Sequence, residues 1–189
     1  IPQFVSLLVM RSMLSQDGII NVMLKNAGWI QKSLPFFSNV AWARITVIVV
    51  NLWIGIPYTM MQVTGILQNI PLELYEAAEV DGAGPVIRFF KITLPYMLFV
   101  TTPYLITTFT ANINNFNIVY LLTKGDPVLA GNTAGKTDLL VTWLYKMTVD
   151  YQYYNLGAVI GIMTFVFLAI GSLLVYRRTK SYKDEEGFQ

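Results

Sequence analysis

Residues 66–95 read ILQNIPLELYEAAEVDGAGPVIRFFKITLP, and what lies on either side of them follows from how this stretch folds. PLELYEAAEV (71–80) predicts a short amphipathic helix that opens with Pro71, a residue suited to a first helical turn. Glu73 and Glu76 stand near its start, where the helix dipole favours negative charge. Gly82 and Gly84 end it, and Pro85 opens a second short helix carrying Phe89, Phe90 and Ile92 as an apolar group. Pro95 is expected to begin the next element. The product is a stiff helix–turn–helix knob with carboxylates at one end and Arg88 and Lys91 at the other. A connection without a task is usually shorter.

Outward from this segment the charges stop. No Asp, Glu, Lys or Arg occurs from Ile45 to Leu72, from Ile92 to Thr123 or from Tyr151 to Tyr176. Each run exceeds the roughly 20 residues that a helix needs to cross about 30 Å of hydrocarbon. Three spans are predicted, near 44–65, 96–122 and 154–176, giving an all-α, polytopic membrane protein. The competing reading, buried helices of a large soluble protein, fits poorly with runs of this length. The whole chain of 189 residues is 54% hydrophobic and 13% charged, about half the charge of a soluble domain. It holds no cysteine and no histidine. Disulfide frameworks, Cys/His metal sites and histidine bases are thereby excluded. A net charge of +2 gives no reason to expect nucleic acid. No cofactor or metal is expected.

The segment IPQFVSLLVM meets Arg11 after ten residues, too soon to span. It is expected to be part of a helix within 1–15 whose earlier companions are missing, with a re-entrant segment as the alternative. RRTK at 177–180, followed by Lys183, predicts a cytoplasmic C-terminus by the positive-inside rule. Counting back puts 66–95 inside and 16–43 and 123–153 outside. In the 123–153 segment, Thr137 is expected to cap a short helix with Leu139, Leu140, Trp143, Leu144 and Met147 on its apolar side.

The spans are not uniform. Pro57, beside Gly55, predicts a break in the first, and Pro103 with ANINNFN (111–117) a break in the second. Amides in a membrane segment must face other helices or a pathway. Gly157 and Gly161 form a GxxxG pair that predicts close helix packing. GNTAGKT (131–137) looks like a phosphate loop but has one residue too few between Gly131 and Gly135.

The knob resembles the EAA loop of permease subunits in binding-protein-dependent ABC importers. The motif positions are Glu76-Ala77-Ala78, then Gly82 after three residues, then Ile92-Thr93-Leu94-Pro95 after nine more. The resemblance implies a type I importer permease fold in a bacterial plasma (inner) membrane, in contact with lipid. It implies an ABC ATPase dimer, a second homologous permease and an extracellular or periplasmic solute-binding protein as partners, with ATP hydrolysed on the separate subunit. It also implies that Glu76 makes polar contacts to the ATPase, that Ala77 and Ala78 allow close approach, and that Gly82 supplies the turn. Asp81, Arg88, Phe89, Phe90, Ile92, Leu94 and Pro95 complete the coupling loop over 70–95.

Further stretches, NLWIGIPYTM and NINNFNIVYLLT among them, are similar to sugar permeases of the maltose/maltodextrin type. Carried over by motif, Gln3, Asn51, Ile54, Gly55, Tyr58, Ala111, Asn112 and Asn115 are the implied sugar contacts. Uncharged amides and a tyrosine ring suit hydroxyls and sugar ring faces. Asn112 and Asn115 stand at helical i, i+3 spacing, as Asn51, Gly55 and Tyr58 do at four- and three-residue steps. Interhelical hydrogen bonding is the plainer role for such amides. A secondary transporter, which also uses broken helices, and an importer of a solute other than sugar remain the alternatives for function. A secondary transporter would normally carry an intramembrane charge, and the spans hold none.

Overall fold

Long uncharged runs leave the backbone to satisfy itself, and here it does so as helix. The computed structural model describes residues 2–177. In chain order the helices are α1 (Gln3–Met13), α2 (Ile19–Asn26), α3 (Val40–Gln68), α4 (Leu72–Val80), α5 (Pro85–Arg88), α6 (Leu94–Ile113), α7 (Phe116–Leu122), α8 (Leu140–Tyr145) and α9 (Tyr154–Arg177). Two π-turns, Phe89–Thr93 and Lys146–Asp150, follow α5 and α8. Among the described residues there is no strand, only an isolated bridge between Val128 and Gly135. Three stretches are long and apolar enough to cross a bilayer: Val40–Leu67, Pro85–Leu122 and Tyr154–Arg177. Of the basic tail read as cytoplasmic, all but Arg177 lies outside the described residues.

Neither proline breaks its helix. α3 runs through Pro57 and α6 through Pro103, since the loss of one rung is tolerated within a span. The break falls beyond Pro103, within ANINNFN, between α6 and α7. Asn115 leaves the helical region (φ −81°, ψ 87°), and its Oδ1 accepts the Ile118 amide at 3.3 Å. An asparagine side chain competes with the helix for backbone groups and does best as a cap. Pro95 stands at the second position of α6, with helical chain already running ahead of it. The chain is helical from Pro85 to Ile113, and the π-turn ends with the Leu94 amide on the Phe89 carbonyl. An extra residue in the turn just ahead of Pro95 absorbs a position that has no amide to donate.

Ile1–Gly55 with Asn112–Val166 form one compact unit; Ile56–Ala111 with the chain from Phe167 form another. The first has a core of Leu7, Val50, Ile118, Val119 and Leu122, where α1 packs on α7. Arg11 Nη1 donates to the Leu121 carbonyl at 3.5 Å, a cation placed at the negative end of α7. The fully buried Asn21 holds the 15–34 segment: its Nδ2 donates to the Ser15 and Leu34 carbonyls, and its Oδ1 accepts the Leu34 amide at 2.8 Å. Asn39 Oδ1 accepts the amides of Ala41 and Trp42, capping α3.

The connection from α7 to α8 closes on one carboxylate. Asp138 accepts from the Gly135 amide (2.7 Å), the Thr142 hydroxyl (2.9 Å) and Lys146 Nζ (2.7 Å). Gly125 passes so close that an added Cβ would strike the Asp138 carboxylate. Thr137 is not the cap. Its hydroxyl donates to the Asp126 carbonyl and also bonds the Thr123 hydroxyl. Leu139 takes the cap position of α8, and its amide donates to Thr142 Oγ1 at 2.9 Å. Thr142, whose hydroxyl takes the Leu139 amide, thus closes the start of α8 in place of Thr137. The Asp138 carboxylate takes the Gly135 amide, so the 131–137 loop spends that donor internally rather than on a phosphate.

The Gly157–Gly161 pair packs α9 against α8 and the π-turn that follows it. A Cβ on Gly157 would collide with the Thr148 methyl, while one on Gly161 would approach Leu144 Cδ1 at 3.2 Å. The Thr148 hydroxyl is tied to the Leu144 and Tyr145 carbonyls, so its methyl cannot swing away freely. Gly157→Val should therefore lower stability by about 1–3 kcal/mol through overpacking. Gly161→Ala, facing a flexible leucine tip, should be close to neutral. Thermal unfolding in detergent checks both.

In the second unit, hydroxyls link the helices: Thr59 with Tyr104 (3.2 Å) and Thr110 with Ser172 (3.0 Å). The Thr101, Thr102, Thr107 and Thr110 hydroxyls donate back to the carbonyls four residues earlier on α6. Apolar side chains along α6 and α9 stay largely uncovered by the rest of the chain, Phe109 (69%), Phe165 (72%) and Phe167 (74%) among them. Such surface is stable only against lipid or another subunit.

Candidate functional site

The knob between α3 and α6 is built by its turn. α4 ends in a Schellman motif: the Ala83 amide donates to the Ala78 carbonyl (2.8 Å) and the Gly82 amide to the Glu79 carbonyl (3.0 Å). This closure needs a residue in the left-handed region, and Gly82 sits there at φ +76°. Asp81 holds the preceding C-cap position, and Pro71 occupies the N-cap of α4 rather than its first turn. Gly84 is extended, and Pro85 takes the first position of α5.

The two ends of the knob are not apart in charge. Arg88 Nη1 reaches back to Glu79 Oε2 at 3.0 Å, joining α5 to the end of α4. A second link, of 2.8 Å, connects the Tyr75 hydroxyl on α4 with the Thr93 hydroxyl in the π-turn. Phe89 and Phe90 meet edge to face with centroids 5.2 Å apart. Glu76, Ala77, Phe89, Phe90 and Pro95 are exposed; Ala78, Arg88, Ile92 and Leu94 are half-buried. Val80, at the tip, is 89% exposed. The knob is therefore rigid, held from within, and turned outward. Sequence reading missed Tyr75, Glu79 and Thr93. The opposite charges of Glu79 and Arg88 could have suggested one link; nothing in the spacing pointed to the other.

The amide residues separate into distinct roles. Asn51 Nδ2 donates to Asn112 Oδ1 at 2.7 Å, joining α3 to the end of α6 within the first unit. Asn115, in contrast, has its oxygen committed to the α7 cap. Because the helix stops at Ile113, Asn112 and Asn115 do not share a helical face as expected. Ile54 packs against the core of the first unit. Gln3 is exposed on α1, and Gly55 has open space where a Cβ would stand. In the second unit Tyr58 is 60% exposed with its ring 6.5 Å from that of Tyr104, and Ala111 is exposed.

Helices of membrane-crossing length around a rigid, outward-facing knob define a polytopic membrane subunit. The family model described as "Binding-protein-dependent transport system inner membrane component" matches residues 1–181, and the chain belongs to that family. It is 44% identical over 152 residues to the galactooligosaccharides transport system permease protein GanP of Bacillus subtilis (strain 168), covering 80% of this chain and 36% of that protein. It is 41% identical over 181 residues to the maltose/maltodextrin transport system permease protein MalF of Escherichia coli (strain K12), covering 93% of this chain and 34% of that protein. The chain thus spans about a third of the length of these curated relatives. The crystal structure of a bacterial ABC transporter involved in the import of the acidic polysaccharide alginate matches with a TM-score of 0.76 at 24% identity, covering 95% of this chain and 62% of that one. The same transporter type in complex with an alginate pentasaccharide-bound periplasmic protein matches with a TM-score of 0.78 at 22% identity, covering 96% and 62%. These two likenesses concern the fold.

Proposed function

We propose that this chain is part of the permease subunit of an ATP-driven importer of sugars or oligosaccharides, without catalysis of its own. The observation that carries this reading is the Gly82 knob: a stiff, exposed turn set between α3 and α6 on the family's motif spacing. In this reading it seats in a separate ABC ATPase, whose closure moves the helices above it; a rigid element between packed states passes on displacement. A second permease and a solute-binding protein complete the assembly. The knob and the C-terminus face the cytoplasm, and 16–43 and 123–153 face the cell exterior. The relatives that transport galactooligosaccharides and maltodextrins support a saccharide as the cargo.

The Asn51–Asn112 pair is the part of the pathway that reads the cargo. It is uncharged, offers both donor and acceptor, and matches hydroxyl chemistry. As an interhelical bond it contributes only about 0.6 kcal/mol, so Asn112→Ala should leave assembly intact. Its expected effect is a change in the relative uptake of saccharides, measured by competition between labelled maltodextrins and galactooligosaccharides. The whole reading is tested by reconstituting the complete transporter in proteoliposomes. Saccharide import should require ATP and the ATPase subunit. The chain has no cysteine, so a cysteine introduced at Ala83 should crosslink to that subunit. Import driven by an ion gradient with no ATPase present would instead favour a secondary transporter.

A further inference from the structure

α4 is almost entirely exposed. Along Leu72–Val80 only Tyr75 and Ala78 are even half-covered, and no residue of the helix is buried. Ala78 is too short to reach far, and its carbonyl already closes the Schellman turn. The Arg88–Glu79 pair has its carboxylate 72% exposed, and ion pairs so open to water are weak struts. Among the described residues, the polar link inward that remains is the 2.8 Å hydrogen bond between Tyr75 and Thr93. Thr93 is the last residue of the π-turn and stands directly before α6. The bond bypasses the Gly82 turn and joins the outward-facing helix to the base of the span.

We propose that Tyr75, through Thr93, is the positioning residue that makes displacement of α4 a displacement of α6. Without it, a push on α4 is taken up by bending at Gly82, where backbone freedom is greatest. Thr93 closes a π-helical stretch, a local departure from α-helix often found at functional places. The proposal rests on the coupling-loop reading given above and adds to it the path by which force enters the membrane.

The test uses the complete transporter in proteoliposomes and reads two quantities: saccharide imported per ATP hydrolysed, and the melting temperature of the assembled complex. Tyr75→Phe and Thr93→Val should each lower the import-to-hydrolysis ratio about fivefold, the scale of one neutral hydrogen bond. The double variant should be no worse than either single one. Thr93→Ser, which keeps the hydroxyl, should match the parent. The melting temperature should stay put in all four. If Tyr75→Phe fails to assemble, the Thr93→Val and Thr93→Ser pair decides alone. A parental ratio in Thr93→Val and Tyr75→Phe, or losses that add in the double variant, overturns the proposal. Gly82→Asp run alongside separates the two levels. If it blocks import while Tyr75→Phe does not, the strut is wrong and the loop reading stands. If it imports normally, the loop reading fails and this proposal with it.

Discussion

Gly82→Asp is expected to reduce saccharide uptake to background while the subunit is still inserted and assembled. The reason lies in what surrounds the glycine. Among the described residues, and its two chain neighbours aside, no atom stands within 4 Å of where a Cβ would be, so an added side chain meets nothing in the described part of this chain. The backbone penalty at φ +76° is roughly 1–2 kcal/mol for an ordinary residue, and aspartate is among those that bear it best. That is too little to unfold a bundle. A complete loss of transport would therefore have to arise from a surface outside the chain, pressed close against the turn. Labelled-sugar uptake in cells, with co-purification of the partner subunits, checks it. Gly84→Ala is the control, because that position is extended and equally uncrowded; it should transport normally. Parental uptake by Gly82→Asp would remove the ground for the coupling role.

The second large effect is expected at Asp138. Its side chain is 3% exposed and that of Lys146 12%. Asp138→Ala strands the ammonium in the interior and also frees the Gly135 amide and the Thr142 hydroxyl. Breaking one side of a buried ion pair costs about 3 kcal/mol or more. The loop from α7 to α8 should loosen, with faster tryptic cleavage after Lys124 and Lys136 and a lower melting temperature. The companion experiment is Asp138→Leu with Lys146→Met. Removing both charges leaves neither uncompensated, so most of the stability should return. A double variant as unstable as Asp138→Ala would mean that the hydrogen bonds to Gly135 and Thr142, rather than the charge, hold the loop.

How much of this could be read from the sequence depended on whether the cause was local. The three uncharged runs announce long helices, because a bilayer leaves the backbone no other partner. The Gly82 turn was equally legible, since its closure is made by the backbone of 78–83 and needs only a glycine at one position. Proline misled. Pro57 and Pro103 look like breaks, yet within a long apolar helix each removes one rung and the rest hold. The break that does occur lies in ANINNFN, but which of its four asparagines caps the next helix is not announced; it is Asn115, whose Oδ1 takes the Ile118 amide. Asn112 and Asn115 then fell on different elements, so their even spacing meant nothing. Contacts made across turns, such as Tyr75 with Thr93 or Asp138 with Gly135 and Lys146, are not announced by a helical repeat alone. They depend on a π-turn and on loop geometry that spacing does not encode.

The threonines of α6 have one more implication. Because Thr101, Thr102, Thr107 and Thr110 return their hydroxyl protons to their own helix, these four positions have little left to donate to a neighbour. The hydrogen bonds of α6 to other helices include those at Tyr104, Thr110 and Asn112. For the coupling proposed above, a helix that keeps these hydroxyl protons to itself has fewer bonds to exchange with its neighbours when it is displaced.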